Sequence, residues 1–183
     1  MKCFNVGILG TGSIAQSMAF TLNALKDKGE VVPYAIASRS LKKAENFARE
    51  WHFEKAYSSY EALVSDPAVD LIYIATPHSL HYEHALLCLN HSKNTLVEKS
   101  FTANALQAQE LLSLAADKKV LLAEAIWTRY MPSRKIIADL LASGAIGRFT
   151  TLNATFSVPI HEIPRMHDPS LCGGALLDLG VYV

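Results

Sequence analysis

Apolar positions follow two alternating rhythms over roughly the first two thirds of the chain. Short runs rich in β-branched residues predict strands, and longer stretches with apolar residues three and four apart predict amphipathic helices. Residues 6–9 read as the first strand. Ile14, Met18, Leu22 and Leu25 then recur at helical spacing, so a helix is expected over residues 13–28, with Gly29 at its exit. Residues 31–37 predict a second strand and residues 41–51 a second helix, for which Ser40 is available as N-cap. A short strand near Ala56-Tyr57, a short helix over 59–65 and a buried strand over 71–75, ended by Thr76-Pro77, come next. The following helix is expected to run to about His91, then a strand over 94–97, a helix over 104–118 and a strand over 120–125.

Strands and helices alternating in this way predict an α/β fold, a doubly wound parallel sheet of Rossmann type with helices on both faces. Such sheets bind ligands beyond the carboxyl ends of their strands, which directs attention to Gly10, Ser38, Thr76, Glu98 and Glu124. After Pro132 a helix carries Ile136, Ile137, Leu140 and Leu141 to Ser143, and Gly144 and Gly147 punctuate the chain. Residues 148–158 predict a new extended strand. The expected boundary therefore separates residues 1–147 from residues 148–183.

Composition narrows the class. Of 183 residues half are hydrophobic and 19% are charged, spread along the chain, which argues against disorder and for one domain of about 150 residues with about 30 to spare. Seventeen basic and seventeen acidic side chains cancel, leaving no cationic surplus for a nucleic-acid partner. No run reaches the ~20 apolar residues of a membrane span and no signal-peptide core is visible, so a cytoplasmic protein without a membrane partner is expected. Cys3, Cys88 and Cys172 are odd in number and form no C-x-x-C pair, which predicts incidental thiols rather than disulfides or a zinc site.

The first strand ends in Gly10-Thr11-Gly12-Ser13-Ile14-Ala15, a G-x-G-x-x-A pattern opening a helix. Gly10 permits the tight turn, Gly12 lets the backbone approach a pyrophosphate, and Ala15 allows close helix–sheet packing. The helix start at Ser13 and Ile14 offers free N–H groups to the phosphates. An acid at the end of the second strand would read the ribose 2′-hydroxyl of NAD, but the chain has Ala37-Ser38-Arg39-Ser40 followed by Lys42 and Lys43. Arg39 and its neighbouring hydroxyls suit a 2′-phosphate, so NADP is expected ahead of NAD, with NAD left open. His78, His81 and His84 recur every three residues, a spacing that fans the rings over about 120° of a helix, and no metal site is expected. Pro77 is expected to start that helix, with His81 either facing the cofactor cleft or satisfied within the structure. The expected cofactor contacts are Gly10, Gly12, Ser13, Ile14, Ser38, Arg39, Thr76, Pro77, His81, Glu98 and Lys99.

Several of these pieces, in order, carry a resemblance. Gly10-Thr11-Gly12, Thr76-Pro77 with His81, Glu98-Lys99, residues 124–129 (Glu-Ala-Ile-Trp-Thr-Arg) and residues 173–182 (Gly-Gly-Ala-Leu-Leu-Asp-Leu-Gly-Val-Tyr) occur in the order and approximate spacing of one oxidoreductase family. Over its whole length the chain resembles the glucose-fructose oxidoreductase / inositol dehydrogenase (Gfo/Idh/MocA) family. Its Trp-Thr-Arg and Leu-Leu-Asp-Leu-Gly-Val-Tyr pieces are most similar to the trans-dihydrodiol dehydrogenase branch. The resemblance implies that Lys99 is the catalytic lysine, that Asp178 is the family's acid, and that Tyr182 stands where many members carry histidine and this branch carries tyrosine. Independently, Asp178 and Tyr182 are four apart, so a helix opened by Gly173-Gly174 would put both on one face. A phenol beside an ammonium yields its proton more readily, and Lys99 could supply that charge. The family's Glu-Lys-Pro is Glu98-Lys99-Ser100 here, which removes a residue that fixes the backbone.

These readings predict an NADP-preferring oxidoreductase acting on a CH–OH or carbonyl group of a small sugar, polyol or dihydrodiol. Lys99, Tyr182 and Asp178 form the expected catalytic set, and Trp127, Arg129 and Phe156 the expected wall on the substrate side. Two alternatives stay open: a dinucleotide-binding regulator without turnover, and a truncated form that binds cofactor only. In the resembling family a large second sheet domain covers the cleft and commonly forms a dimer surface. Residues 1–147 are thus expected to be the dinucleotide-binding domain, and residues 148–183 the opening of an α+β substrate and dimerisation domain. The native protein is expected to be longer by about 100–200 residues and to form a homodimer or higher homo-oligomer.

Overall fold

The computed structural model describes residues 3–183. Six parallel strands form one sheet in the order β3-β2-β1-β4-β5-β6: β1 Phe4–Leu9, β2 Val31–Ala37, β3 Lys55–Tyr57, β4 Leu71–Ile74, β5 Asn94–Val97 and β6 Leu122–Glu124. The crossovers carry α1 Ser13–Lys26, α2 Leu41–Trp51, α3 Tyr60–Val64, α4 His81–Asn90 and α5 Ala105–Lys118. Alternate residues of each strand feed opposite faces, as a pleated strand requires. Ile8, Ile36 and Tyr73 pack with Ala15, Ala19, Leu22 and Phe47 from α1 and α2. Leu9, Ala35, Ile72 and Ile74 pack with Leu63, Leu89 and Leu111 from α3, α4 and α5. Two apolar cores, one on each side of the sheet, therefore hold a doubly wound Rossmann-like fold.

The chain reverses its direction of winding between β1 and β4, the neighbours at the middle of the sheet. That switch point opens a crevice at the carboxyl ends of both strands, where the site lies.

Several expected elements differ in detail. The first helix stops at Lys26, because Asp27 forms its C-cap and Gly29 turns away at φ +73°. Ser40 occupies the N-cap position of α2, but its side chain makes no capping bond. The expected helix after Pro77 begins as a 3-10 turn, His78–Leu80, and becomes α-helical only at His81. β6 is shorter than the apolar run suggests.

The larger correction concerns residues 148–158. No strand forms there, and all of these residues are exposed. A strand needs a neighbouring strand for its backbone N–H and C=O groups, and among the described residues no strand pairs with this segment. α6, Pro132–Ala142, forms as expected, with Ile136, Ile137, Leu140 and Leu141 exposed. Near the end, α7 covers only Ala175–Asp178 and gives way after Leu179 to a 3-10 turn, Gly180–Tyr182, instead of one continuous helix.

Candidate functional site

The turn after β1 is built as its glycines require. Gly10 has φ +102°, and a Cβ there would lie 2.8 Å from the Ala75 carbonyl oxygen at the end of β4. Only glycine fits this approach of two strand ends. At Gly12 a Cβ would meet no protein atom within 4 Å, because the position faces open cleft. No side chain caps α1 and no acid occupies its first turn. The first intrahelical bond runs from Gln16 N–H to Gly12 O, so the amides of Ser13, Ile14 and Ala15 precede the ladder, as at any helix start. This is an anion cradle with a positive dipole end.

Around it lies a cleft of about 680 Å³. One end is lined by Ser38, Arg39, Ser40 and Lys43, the middle by Gly10 to Ile14 with Thr76 and Pro77, and the other end by Glu98, Lys99 and Asp178. No carboxylate stands among the four residues at the β2 end. Lys43 belongs to the site as well. So do Tyr60, His78 and Arg165, for which the sequence carries no site pattern.

Lys99 is the hub of the far end. Its Nζ donates to Asp178 Oδ1 at 2.7 Å and to the Asp178 carbonyl oxygen at 2.9 Å, and lies 5.3 Å from the centre of the Tyr182 ring. Asp178 Oδ2 accepts from Arg165 Nη2 at 3.0 Å, and His78 Nε2 stands 3.8 Å from Oδ1. Burial alone would raise the Asp178 carboxyl, but the bonds from Lys99 and Arg165 outweigh it and hold the group below the usual carboxylate range. Burial pushes the His78 imidazole down to about 4, with neighbouring His81 adding to the effect, so His78 is neutral near pH 7.

Ser100, where the resembling family has proline, follows Lys99 through a cis peptide bond. Its hydroxyl donates to the Leu177 carbonyl. Consecutive residues after β5 thus grip consecutive residues of α7, and the lysine is placed without the proline. Glu98 accepts from the Tyr73 hydroxyl through Oε1 and from the Lys99 amide through Oε2. Burial raises its carboxyl despite these donors. Glu124 accepts from the Phe101 amide at 2.9 Å and so ties β6 to the segment after Lys99.

Tyr182 completes the group. Its hydroxyl accepts a hydrogen bond from the Trp127 indole N–H at 2.9 Å, and the Phe156 ring packs edge-on to it at 5.1 Å. Trp127 also lines an adjoining, more apolar hollow with Ile14, Met18, Tyr73 and Leu96. Arg129 sits exposed in the 3-10 turn Trp127–Tyr130 and does not line the cleft. His81 meets both expected uses: it belongs to the wall of the cleft and, fully buried there, sets Nδ1 2.6 Å from the Ser100 carbonyl and Nε2 2.9 Å from the Thr76 carbonyl, joining the β4 and β5 loops. His84 Nδ1 pairs with the Thr76 hydroxyl at 2.9 Å. Among the described residues no cluster of three or more His, Cys, Asp or Glu is arranged to hold a metal ion, and no helix is long and apolar enough to cross a membrane.

Comparison with known proteins places this geometry. Residues 4–126 match the Gfo/Idh/MocA model, described as an oxidoreductase family with an NAD-binding Rossmann fold. The chain is 42% identical over 176 residues to trans-1,2-dihydrobenzene-1,2-diol dehydrogenase of Xenopus tropicalis, covering 96% of this chain and 53% of that protein. It is 41% identical to D-xylose 1-dehydrogenase (NADP(+)) of Hypocrea jecorina, covering 96% of this chain and 50% of the relative. It therefore spans about half the length of the curated relatives it matches. Among solved structures it is similar to KijD10, a 3-ketoreductase from Actinomadura kijaniata in complex with NADP and TDP-benzene. That match has a TM-score of 0.88 at 32% identity, covering 98% of this chain and 55% of the other. Levoglucosan dehydrogenase in complex with NADH and L-sorbose aligns over 100% of this chain and 52% of its own, with a TM-score of 0.87 and 25% identity. With the sheet order, the glycine turn and nearly the whole chain in agreement, this protein belongs to the Gfo/Idh/MocA family of NAD-binding Rossmann-fold oxidoreductases.

Proposed function

We propose that this chain carries the coenzyme site and the proton-transfer centre of an NADP-preferring oxidoreductase. Its substrate is a secondary alcohol, or the matching carbonyl, of a small sugar, polyol or dihydrodiol. The observation that carries this reading is that Lys99 and Asp178 pair at one end of the cleft whose middle is the glycine turn, with the Tyr182 ring 5.3 Å from the Lys99 ammonium.

The first-turn amides of α1 hold the pyrophosphate, and Arg39 and Lys43, without an acid between them, hold a 2′-phosphate. Relatives support the preference, since the Hypocrea enzyme is named for NADP(+) and the Actinomadura structure contains NADP, although levoglucosan dehydrogenase was solved with NADH. The bound nicotinamide supplies or accepts a hydride. The Tyr182 hydroxyl exchanges the substrate's hydroxyl proton, and the Trp127 indole N–H steadies its oxygen. Lys99 holds the substrate oxygen near Tyr182, while Asp178 fixes the direction of the ammonium. Phe156 and Trp127 flank the phenol on the substrate side.

NADPH oxidation by the full-length protein, measured over a panel of sugars and dicarbonyls, tests the proposal. Sustained turnover supports it; tight NADP binding with no turnover across the panel overturns it in favour of a regulator.

A further inference from the structure

Asp178 is nearly buried, and each of its carboxylate oxygens is bound by a different cation, Lys99 on Oδ1 and Arg165 on Oδ2. The two cations differ in what they fix. An ammonium is a point charge on a flexible stem, whereas a guanidinium is planar and directional. Lys99 alone would leave the carboxylate able to turn; a second charge-assisted bond to the other oxygen prevents this. We propose that Arg165 is a positioning residue of the same centre: by sharing Asp178 with Lys99, it holds the carboxylate and, through it, aims the Lys99 ammonium at Tyr182. This rests on the roles given above to Lys99 and Tyr182.

The segment bearing Arg165 is shaped to deliver it. Two 3-10 turns, Pro164–His167 and Pro169–Leu171, fold back so tightly that a Cβ on Gly173 would lie 2.0 Å from the Arg165 carbonyl oxygen and 2.9 Å from that of Asp168. Gly173 N–H donates to the Asp168 carbonyl at 3.1 Å. The backbone of Arg165 is therefore fixed against the residues that lead into α7, which presents Asp178. The groups facing Asp178 are Lys99 from the β5 loop, Arg165 from this strap and His78 from the β4 loop. His78 is neutral near pH 7, so Lys99 and Arg165 are the two cations that share the Asp178 carboxylate.

The test is a double-mutant cycle on the full-length protein, read by thermal unfolding. Near pH 7, Arg165→Met is expected to lower the midpoint by about 2–4 °C, and Arg165→Lys to restore most of that loss. In an Asp178→Asn background Arg165→Met should cost nothing, because Lys99 and Arg165 then only repel each other. An equal loss in both backgrounds makes Arg165 a packing residue and overturns the proposal. Should Asp178→Asn fail to fold, acid decides: the gap between wild type and Arg165→Met must close as Asp178 gains its proton below the usual carboxylate range, and a gap that persists contradicts the proposal. In turnover, Arg165→Met should lower kcat about ten- to a hundredfold, with NADPH affinity retained and Arg165→Lys rescuing. Unchanged kcat also overturns it. Normal turnover in Lys99→Met would instead remove the lysine–tyrosine mechanism, while the thermal cycle still reports whether Arg165 holds Asp178.

Discussion

The Lys99 ammonium reaches across 79 positions of sequence to bond both the side chain and the carbonyl of Asp178, at 2.7 and 2.9 Å. This contact joins the end of a sheet strand to the last helix and brings Tyr182 beside the cofactor cleft. Replacing Lys99 with Met leaves a nearly buried carboxylate with Arg165 as its remaining full cation. Turnover is expected to fall by about 10²–10⁴, and folding stability by about 1–3 kcal/mol. Urea unfolding and steady-state rates on the same protein check both.

The two glycines of the first turn should respond differently. Gly10→Ala places a Cβ 2.8 Å from the Ala75 oxygen at a positive φ, and should cost at least about 1–3 kcal/mol of stability. At Gly12 a Cβ meets no protein atom within 4 Å, so Gly12→Ala should change stability by no more than about 1 kcal/mol. NADPH affinity should still drop about tenfold or more, a loss of about 1.4 kcal/mol. Fluorescence titration alongside thermal melts separates the two effects.

At the β2 end, Arg39→Ala with Lys43→Ala removes the two cations lining the cleft there. Each charge-assisted bond to a phosphate is worth about 1.5–3 kcal/mol, so NADPH binding should weaken at least about tenfold while NADH binding changes little. Equal weakening of both coenzymes would assign Arg39 and Lys43 to general charge attraction instead.

His78 gives a pH signature. Its folded-state value near 4 lies below the ordinary 6.5, so between those limits the unfolded chain binds a proton that the folded chain refuses. Stability therefore rises with pH through that window and is lost as pH falls from about 6.5 towards 4. The full shift corresponds to about 3 kcal/mol, and solvent screening at a half-open cleft reduces the expected share to about 1–2 kcal/mol. Burial also depresses His81 and His84, so His78→Asn should flatten the slope without abolishing it. Urea midpoints across the window measure this.

What could be read from residues alone follows from how local each signal is. The expected bounds of α2 and β5 match the structure to the residue because their apolar periodicity and their boundaries are local. The glycine turn was legible for the same reason. Arg165 carried no signal, since one arginine in an aperiodic, proline-containing segment gains meaning only when the strap folds onto Asp178. Residues 148–158 read as a strand from side-chain preference, yet a strand exists only with a partner. The expected helical face shared by Asp178 and Tyr182 is broken at Leu179, but both residues still meet Lys99. The sequence leaves two uses open for His81, and the carbonyl partners at both ring nitrogens, which fix it in the cleft wall, become visible only in the fold.

The proposed mechanism has Tyr182 move the substrate proton beside a dinucleotide held by the glycine turn. Its most direct measurement compares wild type and Tyr182→Phe in the full-length protein, with NADP(H) turnover and NADPH affinity determined on the same samples. The account predicts a loss of about 10²–10⁴ in kcat with NADPH affinity unchanged. Near-normal turnover in Tyr182→Phe would contradict it.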